Sequence, residues 1–157
     1  MMWHMDEIRQ KLREGSVSGG PWGHRGPAAL ERIERGLGVE LGQQLRGFVL
    51  RVGNLRIDPF SIIVAGDDAG KRSALTETHG LWKRNAALEA CKAVQVMAHA
   101  GELYLYYPEN EHVSAYDALR PVPGEETLSW ESFKLFLDWV VNEAETMMRD
   151  PEYPFTS

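Results

Sequence analysis

A chain of 157 residues with 43% hydrophobic and 25% charged side chains has the make-up of one globular domain, and five Trp, five Tyr and five Phe supply a sizeable core. Its 23 Asp and Glu against 17 Lys and Arg give a net charge of −6, which argues against a phosphate-backbone binder and suits a basic protein partner. Cys91 is the one cysteine, so no internal disulfide can form and a reducing compartment is expected.

The opening MMWHMDEIRQKLRE has no basic stretch followed by an apolar one, as a signal peptide would. The longest strongly apolar run, FSIIVA, is too short to span a bilayer. These features lead to the expectation of a cytoplasmic chain with no membrane and no direct nucleic-acid contact. Met5, Ile8 and Leu12 share one helical face, with Asp6 and Glu7 where the helix dipole favours anions, so a short amphipathic helix is predicted. The following GSVSGGPWGHRG, Gly15 to Gly26, reads as a loop. Residues 1–26 thus form an N-terminal helix and glycine-rich loop, residues 27–150 the body of a single domain, and residues 151–157 a tail.

Pro27 suits a first helical position, Leu30, Ile33 and Leu37 follow at spacings of three and four, and Gly38 ends the run. Leu41, Leu45, Phe48 and Val52 make the next stripe, with Gly53 as its C-terminal cap. Gly42 and Gly47 weaken that helix and are expected to allow close packing against the preceding one. The period then changes: NLRI and FSIIVAG are β-rich runs separated by the turn signal Asp58-Pro59. SALTETHGLWKRNAAL, Ser73 to Leu88, fits either a broken helix or a loop.

KAVQVMAHA alternates as a strand, Ala100-Gly101 makes a tight turn, and ELYLYY follows with Leu103 and Leu105 opposite Tyr104 and Tyr106. Pro108 to Glu111 is a polar turn before HVSAYDA, so an antiparallel meander is predicted. Its aromatic face either packs under a helix or lies open for contact. Last, Phe133, Phe136, Leu137, Val140, Ala144 and Met147 mark a helix that covers the sheet, flanked by Trp130 and Trp139. Ser129 is its expected N-cap, Glu131 lies in its first turn, and Pro151 marks its end. The fold class expected is α+β: a mainly antiparallel sheet flanked by N-terminal helices and a long C-terminal helix.

The order of these pieces resembles the SUKH superfamily, the Smi/Knr-type domain. Ile33, Leu37, Gly38, Leu45, Phe48, Leu50 and Gly53 match its opening helical pattern. Gly101, Glu102, Leu103 and Tyr104 are similar to its Gly-Asp-aromatic strand pair. Val113, Tyr116 and Asp117 resemble its V-x-x-Y-D, and Ser132, Phe133, Phe136 and Leu137 its late S-F-x-x-F-L helix. The match runs in order over roughly residues 27–148. Arg46 stands where the family has proline, Glu102 where it has aspartate, and residues 66–90 match little. The resemblance implies the fold just given and, for bacterial members, an immunity protein that binds and neutralises a cognate toxin, often a nuclease. Other members are interaction or regulatory modules.

AGDDAGKRS imitates a phosphate loop, but three residues separate Gly66 and Gly70, Arg72 follows Lys71, and Asp67 and Asp68 repel phosphate. It reads as a solvated acidic turn. His4, His24, His79, His99 and His112 show no zinc-site spacing, and Cys91 reads as a small core residue beginning a strand. No cofactor or metal is expected. Glu102, Glu109, Glu111 and Asp117 are compatible with a catalytic carboxylate pair, but sequence supplies no separation between them, and solvated loop carboxylates are the simpler reading. The chain is therefore read as a non-enzyme with a negative, tyrosine-studded docking patch. Its partner-binding candidates are Asp67, Asp68, Tyr104, Tyr106, Glu109, Glu111, Tyr116 and Asp117, with Tyr107 interleaved. The rival readings are a small acidic chaperone for a secreted effector, a regulatory interaction module, and a hydrolase whose polar groups converge in a concave pocket.

Overall fold

Short strands of alternating side chains, joined by turns that reverse the chain, generate a sheet in which each strand pairs antiparallel with the next. The computed structural model describes residues 5–67 and 72–150. Among them the order is α1 (Met5–Glu14), β1 (Gly19–Trp22), α2 (Pro27–Leu37), α3 (Gln43–Arg51), β2 (Asn54–Ile57), β3 (Phe60–Ile63), α4 (Ala74–Arg84) and α5 (Ala86–Ala90). The chain continues through β4 (Val94–His99), β5 (Glu102–Tyr107), β6 (His112–Asp117), β7 (Leu128–Trp130) and α6 (Phe133–Arg149). Over the described residues the protein is α+β, with a seven-stranded antiparallel sheet and a long C-terminal helix. Among the described residues no helix is long and apolar enough to cross a membrane.

The C-terminal helix lies on one face of the sheet. Phe133, Phe136, Leu137, Val140, Ala144 and Met147 of α6 are all buried, as their spacing requires. Phe136 meets Tyr104 of β5 at 5.7 Å between ring centres, and Phe133 meets Phe48 of α3 edge-on at 5.1 Å. Ser132, not Ser129, caps α6, accepting from the Leu135 N–H at 3.2 Å. Ser129 instead lies in β7 opposite Ser114, and their hydroxyls are 3.0 Å apart.

The Gly15–Gly26 segment is more than a loop, because Gly19–Trp22 pairs with β2 as an edge strand. Its neighbour Asn54 is fully buried and uses its whole amide: Nδ2 donates to Trp22 O (2.9 Å) and Gly66 O (3.0 Å), and Oδ1 accepts from Val64 N–H (2.9 Å) and Gly66 N–H (2.8 Å). One side chain thereby fastens β1, β2 and the end of β3.

Ser73 to Leu88 resolves as a broken helix. Ser73 and Thr76 form a capping box that starts α4, and the Asn85 side chain caps α5 by accepting from the Leu88 N–H at 3.1 Å. These helices complete the sheet where it parts. β3 meets β4 through Ile62↔Met97, and further along β4 the Gln95 N–H donates to Thr78 Oγ1 (2.9 Å) while Trp82 Nε1 donates to Ala93 O (2.8 Å). Cys91 caps α5 and is exposed, not a core residue, because the strand begins only at Val94.

Gly42 and Gly47 do not serve packing between α2 and α3. A Cβ on Gly47 meets open space, whereas one on Gly42 falls 2.2 Å from Glu111 Cδ in the β5–β6 turn. The helix pair α2–α3 packs through Leu30, Ile33, Leu37, Leu45, Phe48 and Val49, all buried.

Candidate functional site

The candidate docking residues are not one patch. Tyr104, Tyr106 and Tyr116 are at most 2% exposed, so they belong to the core and not to an open contact face. The reason is that both faces of β5 are covered: Tyr104 and Tyr106 point toward α6 and α3, and the opposite face pairs Tyr107 with Tyr116, whose hydroxyls are 2.5 Å apart. Glu109 is exposed at the β5–β6 turn, while Glu111, at φ 62°, turns back and accepts from the Gln44 N–H at 3.4 Å. Asp117 lies at the other end of the hairpin, exposed, and accepts from the Leu119 N–H at 2.9 Å. Six-residue strands put these two ends about 20 Å apart. Asp67 is half-buried beyond β3, and Asp68 lies outside the described residues.

What the fold does bring together lies at the Asp117 end. Ala100 and Gly101 both adopt left-handed backbone (φ 49° and 81°), the geometry of a two-residue hairpin turn, so His99 pairs directly across from Glu102. On α6, Trp139, Glu143 and Met147 recur every four residues and share a face. Where that face meets the turn, a cavity of about 390 Å³ opens, lined also by Phe60, Tyr104 and Leu128.

Aromatic rings wall it. Trp139 has its ring centre 5.7 Å from Phe60, 6.0 Å from Tyr104 and 5.0 Å from Trp130, and Phe60 meets the His99 imidazole at 4.5 Å. The polar groups are few. Glu102 accepts from the Thr127 hydroxyl. Glu102 and Glu143 are both near enough to the Tyr104 hydroxyl to help burial, the larger cause, drive its pKa upward. Among the described residues, the buried His99 Nε2 has no hydrogen-bond partner. Burial also lowers the His99 pKa, with Glu102 opposing the shift, so the imidazole is held neutral.

This arrangement places two carboxylates beside a neutral imidazole and an aromatic wall, and among the described residues neither Lys nor Arg lines it. Such a lining suits a cation better than an anion. Among the described residues no group of three or more His, Cys, Asp or Glu side chains converges as a metal site. Sequence reasoning weighed Glu102 only as one of four loop carboxylates and missed Phe60, His99, Trp139 and Glu143 as site residues. The two-residue turn signals the His99–Glu102 pairing, and spacing signals Trp139 with Glu143, but nothing local says that the two pairs meet.

No protein-family model matches the chain, and no curated protein matches it.

Proposed function

We propose that the chain is a cytoplasmic, SUKH-like immunity protein that neutralises a toxin by stoichiometric binding, with the acidic, aromatic-walled cavity between the β4–β5 turn and α6 as part of its docking face. The observation that carries this reading is the cavity itself: an opening of about 390 Å³ whose ionisable lining groups are Glu102, Glu143, His99 and Tyr104. On a chain of net charge −6, it favours a basic protein surface over an anionic ligand. The family-like residues also fall on fitting elements, Ile33 and Leu37 on α2, Phe48 and Leu50 on α3, Phe133 and Phe136 on α6.

Co-expression with a toxin encoded beside this chain tests the reading. Rescue of growth and a stable complex on a sizing column are expected; no rescue together with no complex overturns it. An effector chaperone instead predicts an obligate dimer gripping an extended client segment, which light scattering distinguishes. The hydrolase reading finds its foothold in the same cavity, through His99 beside Glu102. Against it, no serine, cysteine or lysine is among the described residues lining the cavity. Turnover of ester, peptide or nucleic-acid substrates by the purified chain, lost in His99→Ala, would move the assignment there.

A further inference from the structure

We propose that the groove over the β1–β3 end of the sheet is a binding site for the phosphate monoester group of a small ligand, held by the guanidinium groups of Arg56 and Arg72 and the hydroxyl of Ser61. The groove lies on the face of β3 opposite Phe60 and the docking cavity, and the proposal does not rest on the docking reading above.

Strand register assembles the site. Gly20 of β1 pairs with Arg56 of β2, and Arg56 with Ser61 of β3, so the three form one row on a single face of the sheet. Alternation sends their neighbours Leu55, Ile57, Phe60 and Ile62 to the opposite face, where all four are buried. On the row itself Arg56 is exposed and Ser61 half-buried. A groove of about 670 Å³ runs over it, lined also by Arg72, which is exposed. The glycines keep that groove open. A Cβ on Gly20 would meet nothing within 4 Å, so the space above the strand is empty, and one on Gly19 would fall 2.1 Å from the Arg56 carbonyl oxygen. Both residues hold a positive φ (130° and 149°), which side chains rarely adopt.

The groove holds donors that the protein does not use. Arg56 Nε donates to Asp58 Oδ1 at 2.5 Å, and Asp58 Oδ2 accepts from the Ser18 hydroxyl at 2.7 Å. The carboxylate thus pins the guanidinium while both its own oxygens are engaged, and the four N–H bonds on the Arg56 Nη atoms have no acceptor among the described residues. The Arg56 side chain is 61% exposed, so those donors are open to a guest. Arg72 makes no hydrogen bond or ion pair among the described residues. Asp58 is the one acidic residue among those lining the groove, so two guanidinium charges face one carboxylate, against the sign of a chain of net charge −6. Forked guanidinium donors match phosphate and carboxylate alike. A phosphate monoester brings close to two negative charges and three acceptor oxygens, so it gains more from two arginines and a hydroxyl, and outweighs Asp58 better, than a singly charged carboxylate. The groove volume is in the range of small-molecule sites, about 300–1,000 Å³.

The test uses three probes on the full chain, followed by two-dimensional NMR: ribose 5-phosphate, the neutral parent ribose, and the carboxylate ribonate. Ribose 5-phosphate is expected to shift the Gly20, Arg56 and Ser61 amides with a Kd of about 1 mM or below, with ribose weaker by about tenfold or more and ribonate between them. Arg72→Gln and Arg56→Gln should each weaken ribose 5-phosphate by about fivefold to tenfold. Arg72 has no described partner to lose, so its variant keeps the test clear of folding effects if Arg56→Gln disturbs Asp58. Arg35→Gln, on α2 and paired with Glu31 outside the groove, should leave the affinity unchanged. No shift with ribose 5-phosphate at about 10 mM, equal binding of ribose, or shifts confined to other residues each overturns the proposal. So does an unchanged affinity in Arg72→Gln, or a loss in Arg35→Gln as large as in Arg72→Gln, which marks unspecific charge attraction. Ribonate binding as tightly as ribose 5-phosphate overturns the phosphate assignment and makes the groove a carboxylate site.

Discussion

The Tyr106 hydroxyl accepts the Gly42 N–H at 2.8 Å, so a side chain from the middle of the sheet caps the start of α3. Glu111 joins it from the adjoining turn, accepting from the Gln44 N–H, and no side chain within α3's own N-terminus does that work. Two residues that look like contact surface in the sequence are thus the lock between helix and hairpin. Tyr106→Phe should cost about 1 kcal/mol by leaving the Gly42 N–H without its acceptor. Gly42→Ala forces its new Cβ onto Glu111 Cδ, 2.2 Å away, and should cost about 1–2 kcal/mol. Because the obstructing group is the end of a flexible side chain, the Gly42→Ala/Glu111→Ala double variant should recover most of that loss. Urea unfolding of the cycle measures this, and strict additivity would refute the contact.

Asn54 offers a sharper case. Its amide makes two donations and accepts two, all at 3.0 Å or less and fully buried. Asn54→Asp turns a donor toward Trp22 O and Gly66 O into a second acceptor, so carbonyls face a carboxylate. The expected loss is about 3 kcal/mol or more, lowering the thermal midpoint by about 10 °C or more, while Asn54→Leu loses a comparable amount by stranding the two N–H groups.

Alkaline stability follows from the tyrosines. Burial pushes the Tyr106 pKa up to about 12, and moves Tyr104, Tyr107 and Tyr116 upward as well. The unfolded chain ionises these groups near 10, so it releases protons that the folded chain retains. Stability from this source is whole below pH 10 and is lost as pH rises through the folded values. The unfolding free energy measured in urea should therefore fall between pH 9.5 and 11.5 by about 1 kcal/mol or more per pH unit, each buried tyrosine contributing up to about 1.4. Tyrosinate absorbance appearing together with unfolding, not ahead of it, is the accompanying signature.

The start of α6 separates the sequence expectation from the structure. Ser132→Ala removes the cap and should cost about 1 kcal/mol. Ser129→Ala removes a part-buried hydroxyl contact with Ser114 and should cost less, about 0.5 kcal/mol. Thermal melts of the two variants decide between them, and the reverse ranking would place the cap at Ser129.

That contrast shows what a sequence makes legible. Pro27 and Gly38 bracket α2 because each has a local backbone reason to stand there, and Asp58-Pro59 and Ala100-Gly101 turn for the same kind of reason. The α6 stripe is readable because one face of a helix must be buried. β1 is not, since Gly19-Gly20-Pro21 has little strand propensity and becomes a strand only because β2 offers it a partner. The cavity is hidden for a related reason: Phe60, His99 and Trp139 come from three elements whose meeting depends on how α6 crosses the sheet. Tyr104 and Tyr106 mislead because alternation tells which residues share a face but not whether that face is covered.

The parting of β3 from β4 has a mechanical outcome. Joined through the one register pair Ile62↔Met97, β3 and β4 make the shortest ladder of the sheet, a seam between two plates, β1–β3 and β4–β7. The cavity straddles that seam, with Phe60 on one plate and the His99–Glu102 turn on the other. An occupant touching both plates staples them, so its affinity and the stiffness of the seam draw on one shared free energy. Amide exchange at Ile62 and Met97 should slow when the cavity fills.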